Sequence, residues 1–194
     1  MGTIEYSCKK KPLVNEYACG DYYFVKEYDE SVCIILIDVL GHGKEAYELT
    51  QICEEFLQKH YKTNPFDLIQ QLNNHIKGSR GAVAAIGQLD TRTGLFTYVL
   101  IGDITIRRFA LKPQTAVCRP GIVGYMMPTP RVEQMNVHPG DVLLLHTDGV
   151  SNHFKLSDYP GILNDSIDQV SKTIIERFAK KHDDSACIAL RYKP

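Results

Sequence analysis

Five aspartates stand where predicted strands begin or end. Asp21 follows Gly20, Asp38 closes VCIILID, Asp148 sits in His146-Thr147-Asp148-Gly149, and Asp183-Asp184 precede the last apolar run. Any one of them has an ordinary explanation, because Asp before Gly makes turns and Asp caps helices. Brought to one edge of a fold, several carboxylates would repel each other and raise one another's pKa. A divalent cation supplies the missing counter-charge. All-oxygen donors select a hard ion, Mg²⁺ or Mn²⁺, over zinc.

Asp38 is followed by Gly41-His42-Gly43-Lys44-Glu45-Ala46, which also fits the G-x-G-x-x-A turn of a dinucleotide site. That reading needs a parallel strand soon after the helix, ending in a ribose-binding acid. Here one helical pattern runs into another, and the next strand pattern starts only near residue 82. Asp38 would also face a pyrophosphate of its own sign. A P-loop fails because Lys44 is followed by Glu45. No Cys is followed six positions later by Arg, and no G-x-S-x-G occurs, so neither nucleophile motif is present.

The elements that must position these acids are legible. Strand patterns cover 21–27, 31–38, 82–89, 95–101, 104–110, 141–147 and 186–191. The 82–89 and 95–101 strands are joined by a Gly-containing loop. Gly102-Asp103 reads as the two-residue turn of the next hairpin, which gives an antiparallel meander. Helical patterns cover 43–61, a segment from Asn64-Pro65 through Ile76, and 166–181. VCIILI and VLLL are continuously apolar, so both faces of those strands must be covered. Antiparallel strands covered on both faces predict an α+β fold, a four-layer α-β-β-α sandwich with two central antiparallel sheets. Residues 111–136, with Pro113, Pro120, Pro128 and Pro130, read as a long loop or flap.

The 194 residues suit one domain, 1–194, with a sizeable core. The net charge of −1 offers no general attraction to nucleic acid, and Lys9-Lys10-Lys11 reads as a solvated run. The N-terminus has no apolar leader and no run reaches membrane-spanning length, so a cytoplasmic protein without membrane or nucleic-acid partners is expected. Six cysteines without a C-x-x-C pair read as reduced thiols, several of them small hydrophobes. His42 reads as a solvated helix-start residue, His146 as a satisfied core or edge histidine, and Arg80 as a surface residue.

In this order, Gly20-Asp21, Asp38-Val39-Leu40-Gly41-His42-Gly43, His146-Thr147-Asp148-Gly149-Val150 and Asp183-Asp184-Ser185-Ala186 resemble the metal-dependent type 2C-like protein phosphatases. The nearest branch is the SpoIIE-like serine phosphatases, and within it the stand-alone RsbX type of the stressosome pathway. The resemblance spans residues 18–191. It implies a two-metal centre holding Mn²⁺ or Mg²⁺. Asp38 would bridge both ions with the Val39 carbonyl as a further ligand. Asp21 would hold the second ion, largely through water, Asp148 and Asp183 the first, with Asp184 as a further metal residue. Asp38 and Asp148 would carry catalysis, with a metal-activated water attacking phosphorus. The implied substrate is a phosphoserine or phosphothreonine protein of stressosome type, or an anti-sigma-factor antagonist. A nucleotide-binding protein and a non-catalytic interaction module are the alternatives. Two positions depart from the family pattern: Ala186 stands where Thr is usual, and Val39 where Gly is common.

Overall fold

The structure, a computed structural model, describes residues 3–155 and 157–193. Among the described residues, ten strands form two five-stranded sheets, and every strand pair is antiparallel. The first sheet is ordered β2 (Asp21–Tyr28), β3 (Ser31–Val39), β4 (Ala82–Asp90), β5 (Leu95–Ile101), β8 (Glu133–Asn136). The second is ordered β1 (Thr3–Lys11), β10 (Ser185–Lys193), β9 (Val142–His146), β6 (Thr105–Phe109), β7 (Gln114–Thr115).

Three apolar layers hold the sheets and helices together. On β3, Ile34 and Leu36 face the second sheet, while Cys33, Ile35 and Ile37 face α1 (Gly43–His60) and α2 (Pro65–His75). On β9, Leu143 and Leu145 face the first sheet, and Val142 and Leu144 lie under α3 (Ile167–Phe178). The uninterrupted VCIILI and LLL runs therefore fill two layers each, and the four-layer sandwich is as expected. Burying an Ile or Leu side chain stabilises by about 1.5–3 kcal/mol relative to exposure.

The helix starts follow local chemistry. Asn64 Oδ1 accepts from the Asp67 N–H at 3.0 Å ahead of Pro65, and Ser166 Oγ accepts from the Gln169 N–H at 3.2 Å. α1 has no side-chain cap. Its entry turn is held by Arg80, which donates to the Leu40 carbonyl at 3.1 Å and pairs with Glu45. Arg80 is thus a strut of the turn after Asp38, not an idle surface residue.

One connection differs from the meander read in the sequence. Gly102-Asp103 does not close a hairpin. β5 belongs to the first sheet and β6 to the second, where β6 pairs with β9 from Thr105↔His146. Gly102 has φ +88°, donates its N–H to the Arg119 carbonyl at 2.8 Å, and leaves no room for a Cβ against Val83. Tertiary pairing overrides a local turn signal here. The 111–136 segment is mostly irregular, as expected, but it contributes the short edge strands β7 and β8. It is also pinned inward at Val123, which exchanges backbone hydrogen bonds with Ala82.

Register places the acids. Asp21, the first residue of β2, lies directly opposite Asp38 on β3, at one end of the first sheet. Asp103 precedes β6, Asp148 follows β9, and Asp183 precedes β10, all at one end of the second sheet. Gly149 draws the last two together. Its carbonyl accepts from the Lys180 N–H at 2.7 Å and from Ser185 Oγ at 2.9 Å, and a Cβ on it would lie 1.7 Å from the Asp184 carbonyl oxygen. Gly149→Ala must push the 183–185 segment away. A loss of about 1–3 kcal/mol in urea unfolding is expected, with a larger fractional loss of divalent-cation affinity. Wild-type stability in this variant would show that the close approach is not needed.

Candidate metal centre

Asp38, Asp103, Asp148 and Asp183 line one cleft of about 500 Å³, together with Leu40, Val83 and Ile122. Among the described residues, no lysine or arginine lines it. Asp21 lies behind Asp38 and is wholly buried. Thr147 Oγ1 donates to Asp21 Oδ2 at 2.8 Å, while Asp21 Oδ1 is buried with no hydrogen-bond partner among the described residues. Burial, then the neighbouring acids Asp184, Asp183 and Asp148, push the Asp21 carboxyl well above the usual carboxylate range, with the Thr147 bond acting the other way. Burial and the charges of Asp21, Asp148 and Asp183 push Asp38 up in the same manner. Asp148 is raised too, by burial and then by Asp183 and Asp103, with Lys180 opposing.

An orphaned buried carboxylate oxygen and an acid-lined cleft with no lysine or arginine in its lining are what a hard divalent ion would complement. The donor set is all oxygen, and the residues fit such an ion in charge and chemistry. The acids ring the cleft and are not drawn into a cage: among the described residues, no three His, Cys, Asp or Glu side chains stand in ready ligating arrangement.

Of the six residues expected to bind metal, Asp38, Asp148 and Asp183 share the cleft, and Asp21 backs it. Val39 ends β3 with its side chain in the core under the helices. Its carbonyl oxygen lies 3.3 Å from where a Cβ on Gly20 would sit. Asp184 does not line the cleft. Its two carboxylate oxygens accept the Leu13 and Gly20 N–H groups, each at 2.7 Å, so it anchors the Gly20-Asp21 turn to the second sheet. Gly20 is held on its other side by Thr50 Oγ1, which donates to its carbonyl at 2.7 Å.

Sequence reasoning missed two participants. Asp103 reads locally as a hairpin residue. Its Gly-Asp dipeptide matches Gly20-Asp21, but so does Gly140-Asp141, where Asp141 accepts the His138 N–H and lies 3.7 Å from Arg108. The dipeptide alone therefore does not discriminate. Thr147 carried no signal beside the acids. Its hydroxyl accepts the Ala186 N–H at 2.9 Å and donates to Asp21, so the departure at Ala186 leaves Asp21 supported from the other strand. His42 is exposed at the cleft, with Nδ1 2.6 Å from Glu16. His146 is a core histidine as read, but only half satisfied. Nδ1 meets the Thr147 carbonyl at 2.9 Å, Nε2 has no partner among the described residues, and burial lowers the imidazole pKa to about 4.

The nucleotide reading does not survive the topology. α1 leads to α2 and then to an antiparallel strand, so no parallel β-α-β crossover follows the glycine turn. Two stacked antiparallel sheets between helices, with acids from both meeting at one end, are the architecture of the type 2C-like phosphatase fold. The chain belongs to the SpoIIE family: the profile of Stage II sporulation protein E matches residues 28–193. It is a PP2C-type phosphatase related to RsbX. The phosphoserine phosphatase RsbX of Bacillus subtilis (strain 168) is 23% identical over 190 residues, which are 94% of this chain and 90% of that protein. A structure described as the bacterial stressosome, a modular system adapted to control secondary messenger signalling, is 27% identical. It covers 97% of this chain and 100% of its own, with a TM-score of 0.87. The crystal structure of RsbX in complex with magnesium covers 98% and 96%, with a TM-score of 0.86; at 20% identity it bears on the fold.

Two outcomes test this electrostatic account. Because the folded Asp38 carboxyl titrates above its unfolded value, the unfolded chain loses that proton first. Metal-free stability contributed by Asp38 therefore falls as pH rises from the ordinary carboxylate range to the raised one. In chelator, Asp38→Asn should gain on wild type between about pH 5 and about pH 8, read as melting temperature at about 2–4 °C per kcal/mol. A widening deficit would contradict it. Thr147→Val should cost about 1–3 kcal/mol, by stranding Asp21 Oδ2 and the Ala186 N–H. A neutral result in urea unfolding would show the hydroxyl is dispensable.

Proposed function

We propose that this chain is a metal-dependent serine/threonine protein phosphatase acting on stressosome-type phosphoproteins. Residues 1–194 act as one phosphatase domain in the cytoplasm. Asp21, Asp38, the Val39 carbonyl, Asp148 and Asp183 would hold two ions, Mn²⁺ or Mg²⁺, with Asp184 fixing the turn that carries Asp21. The observation that supports this most is the meeting of Asp38, Asp103, Asp148 and Asp183 in one cleft backed by an orphaned Asp21 oxygen.

When bound, divalent ions supply the counter-charge these acids lack, acidify a water and balance charge on the phosphoryl oxygens. The chain's own part is orientation. Asp38 and Asp148 approach the cleft from opposite sheets and fix where charge is placed. Thr147 holds Asp21 in one rotamer. Leu40, Val83 and Ile122 make the cleft wall apolar, which strengthens electrostatics inside it. No protein nucleophile is needed, consistent with the absence of cysteine-phosphatase and serine-hydrolase motifs from the sequence.

The stressosome substrate class rests on the likeness to RsbX and to the stressosome structure. Among the described residues, no helix is long and apolar enough to cross a membrane.

Hydrolysis of p-nitrophenyl phosphate and of a phosphoserine protein in Mn²⁺ tests the proposal. Chelator should abolish both, and Asp38→Asn and Asp148→Asn should each lose at least about 100-fold. Activity that survives chelator or both substitutions would sink the metal mechanism. Metal binding without hydrolysis would favour an interaction module. Equal rates on unrelated phosphoproteins would remove the stressosome assignment.

A further inference from the structure

We propose that a notch flanked by Arg119 and Arg131 receives a carboxylate side chain of the phosphoprotein substrate, close in sequence to the phosphorylated residue. Resting on the phosphatase reading above, this role makes the notch a determinant of substrate choice. The notch is a cavity of about 120 Å³ that opens beside the acid-lined cleft, and Cys118 lines both.

The two arginines are placed differently. Arg119 is anchored: Nη1 donates to the Thr129 carbonyl at 2.6 Å. Its own carbonyl accepts the N–H of Gly102, the residue before Asp103, at 2.8 Å. One hydrogen bond therefore fixes it relative to the acids. Arg131 is exposed. Among the described residues, neither arginine forms an ion pair with a carboxylate. Glu133 shares the notch and offsets one positive charge, which suits a single incoming carboxylate.

Charge is thus segregated along one continuous surface. The cleft carries acids and no arginine or lysine, and the notch carries two arginines against one acid. A chain with its phosphorylated residue in the cleft lays its neighbours past Cys118. An acidic neighbour there meets planar guanidinium donors that match a carboxylate. The same neighbour over Asp103 or Asp183 would meet its own sign. A basic neighbour in the notch is repelled, so the device discriminates by both attraction and repulsion.

The test uses the intact chain in Mn²⁺ and phosphoserine peptides that differ at one residue. Glu, Gln or Lys is placed in turn at each position flanking the phosphoserine, and kcat/KM is measured. The wild type should prefer Glu over Lys by about five- to tenfold at positions on one side. Arg131→Glu should invert that ratio, and Arg119→Gln should reduce it. A ratio within one enzyme does not depend on how much of a variant folds. Hydrolysis with no Glu/Lys preference in the wild type, or with the wild-type ratio retained in Arg131→Glu, overturns the notch alone. No hydrolysis of any peptide or of p-nitrophenyl phosphate by the wild type overturns the phosphatase reading and the notch with it.

Discussion

Two carboxylates face each other across neighbouring strands at the end of a sandwich, and the site depends on that repulsion being tolerated. Asp21 and Asp38 are register partners on β2 and β3, and both point into the layer between the sheets. Burial and mutual charge make their ionised forms costly, so the surrounding structure must hold them in place. The apolar runs of β3, β9 and β10 provide the stabilisation. Three polar devices then aim the acids: Thr147 on Asp21, Asp184 on the Gly20 turn, and Arg80 on the turn after Asp38. Carboxylates, hydroxyl and backbone amides all belong to one network that spans the two sheets.

That network explains why the second sheet contributes so much. Thr147 and Asp148 leave β9, while Asp183 and Asp184 enter β10. Gly149 lets these two segments touch, and the Ala186 N–H passes a hydrogen bond through Thr147 to Asp21. An acid on the first sheet is therefore positioned by a backbone amide on the second. Residue 186 carries no hydroxyl, and Thr147 takes its bond there from the main chain.

Most of the architecture was legible because the hydrophobic pattern was unambiguous. Continuous apolar runs forced two covered faces, and the Asn64-Pro65 start was a plain capping signal. β1 was not legible: ahead of Lys9-Lys10-Lys11 its pattern, TIEYSCKKK, is weakly apolar and becomes a strand only by pairing with β10. The β5–β6 crossing was misread because Gly-Asp satisfies a hairpin turn locally, while the choice of sheet is made by pairing with β9. At the site, strand-end acids could be read as a set. Their division of labour could not, because Asp183 and Asp184 are adjacent, and only the three-dimensional path of Gly20 separates a cleft acid from a structural one.

β10 has a further consequence. It is the last strand in chain order, yet it lies inside its sheet between β1 and β9. The acids that flank it come from positions as distant as Asp21 and Asp183. During synthesis, a chain that has not yet emitted residues 183–193 has neither the strand that joins β1 to β9 nor the acid that completes the cleft. Asp21 and Asp38 already lie opposite each other on the first sheet, but the second sheet stays split until β10 pairs with β1 and β9, and long-range pairing of this kind is slow to form. Closure of the cleft therefore depends on the pairing with the greatest sequence separation in the fold, that of β1 with β10.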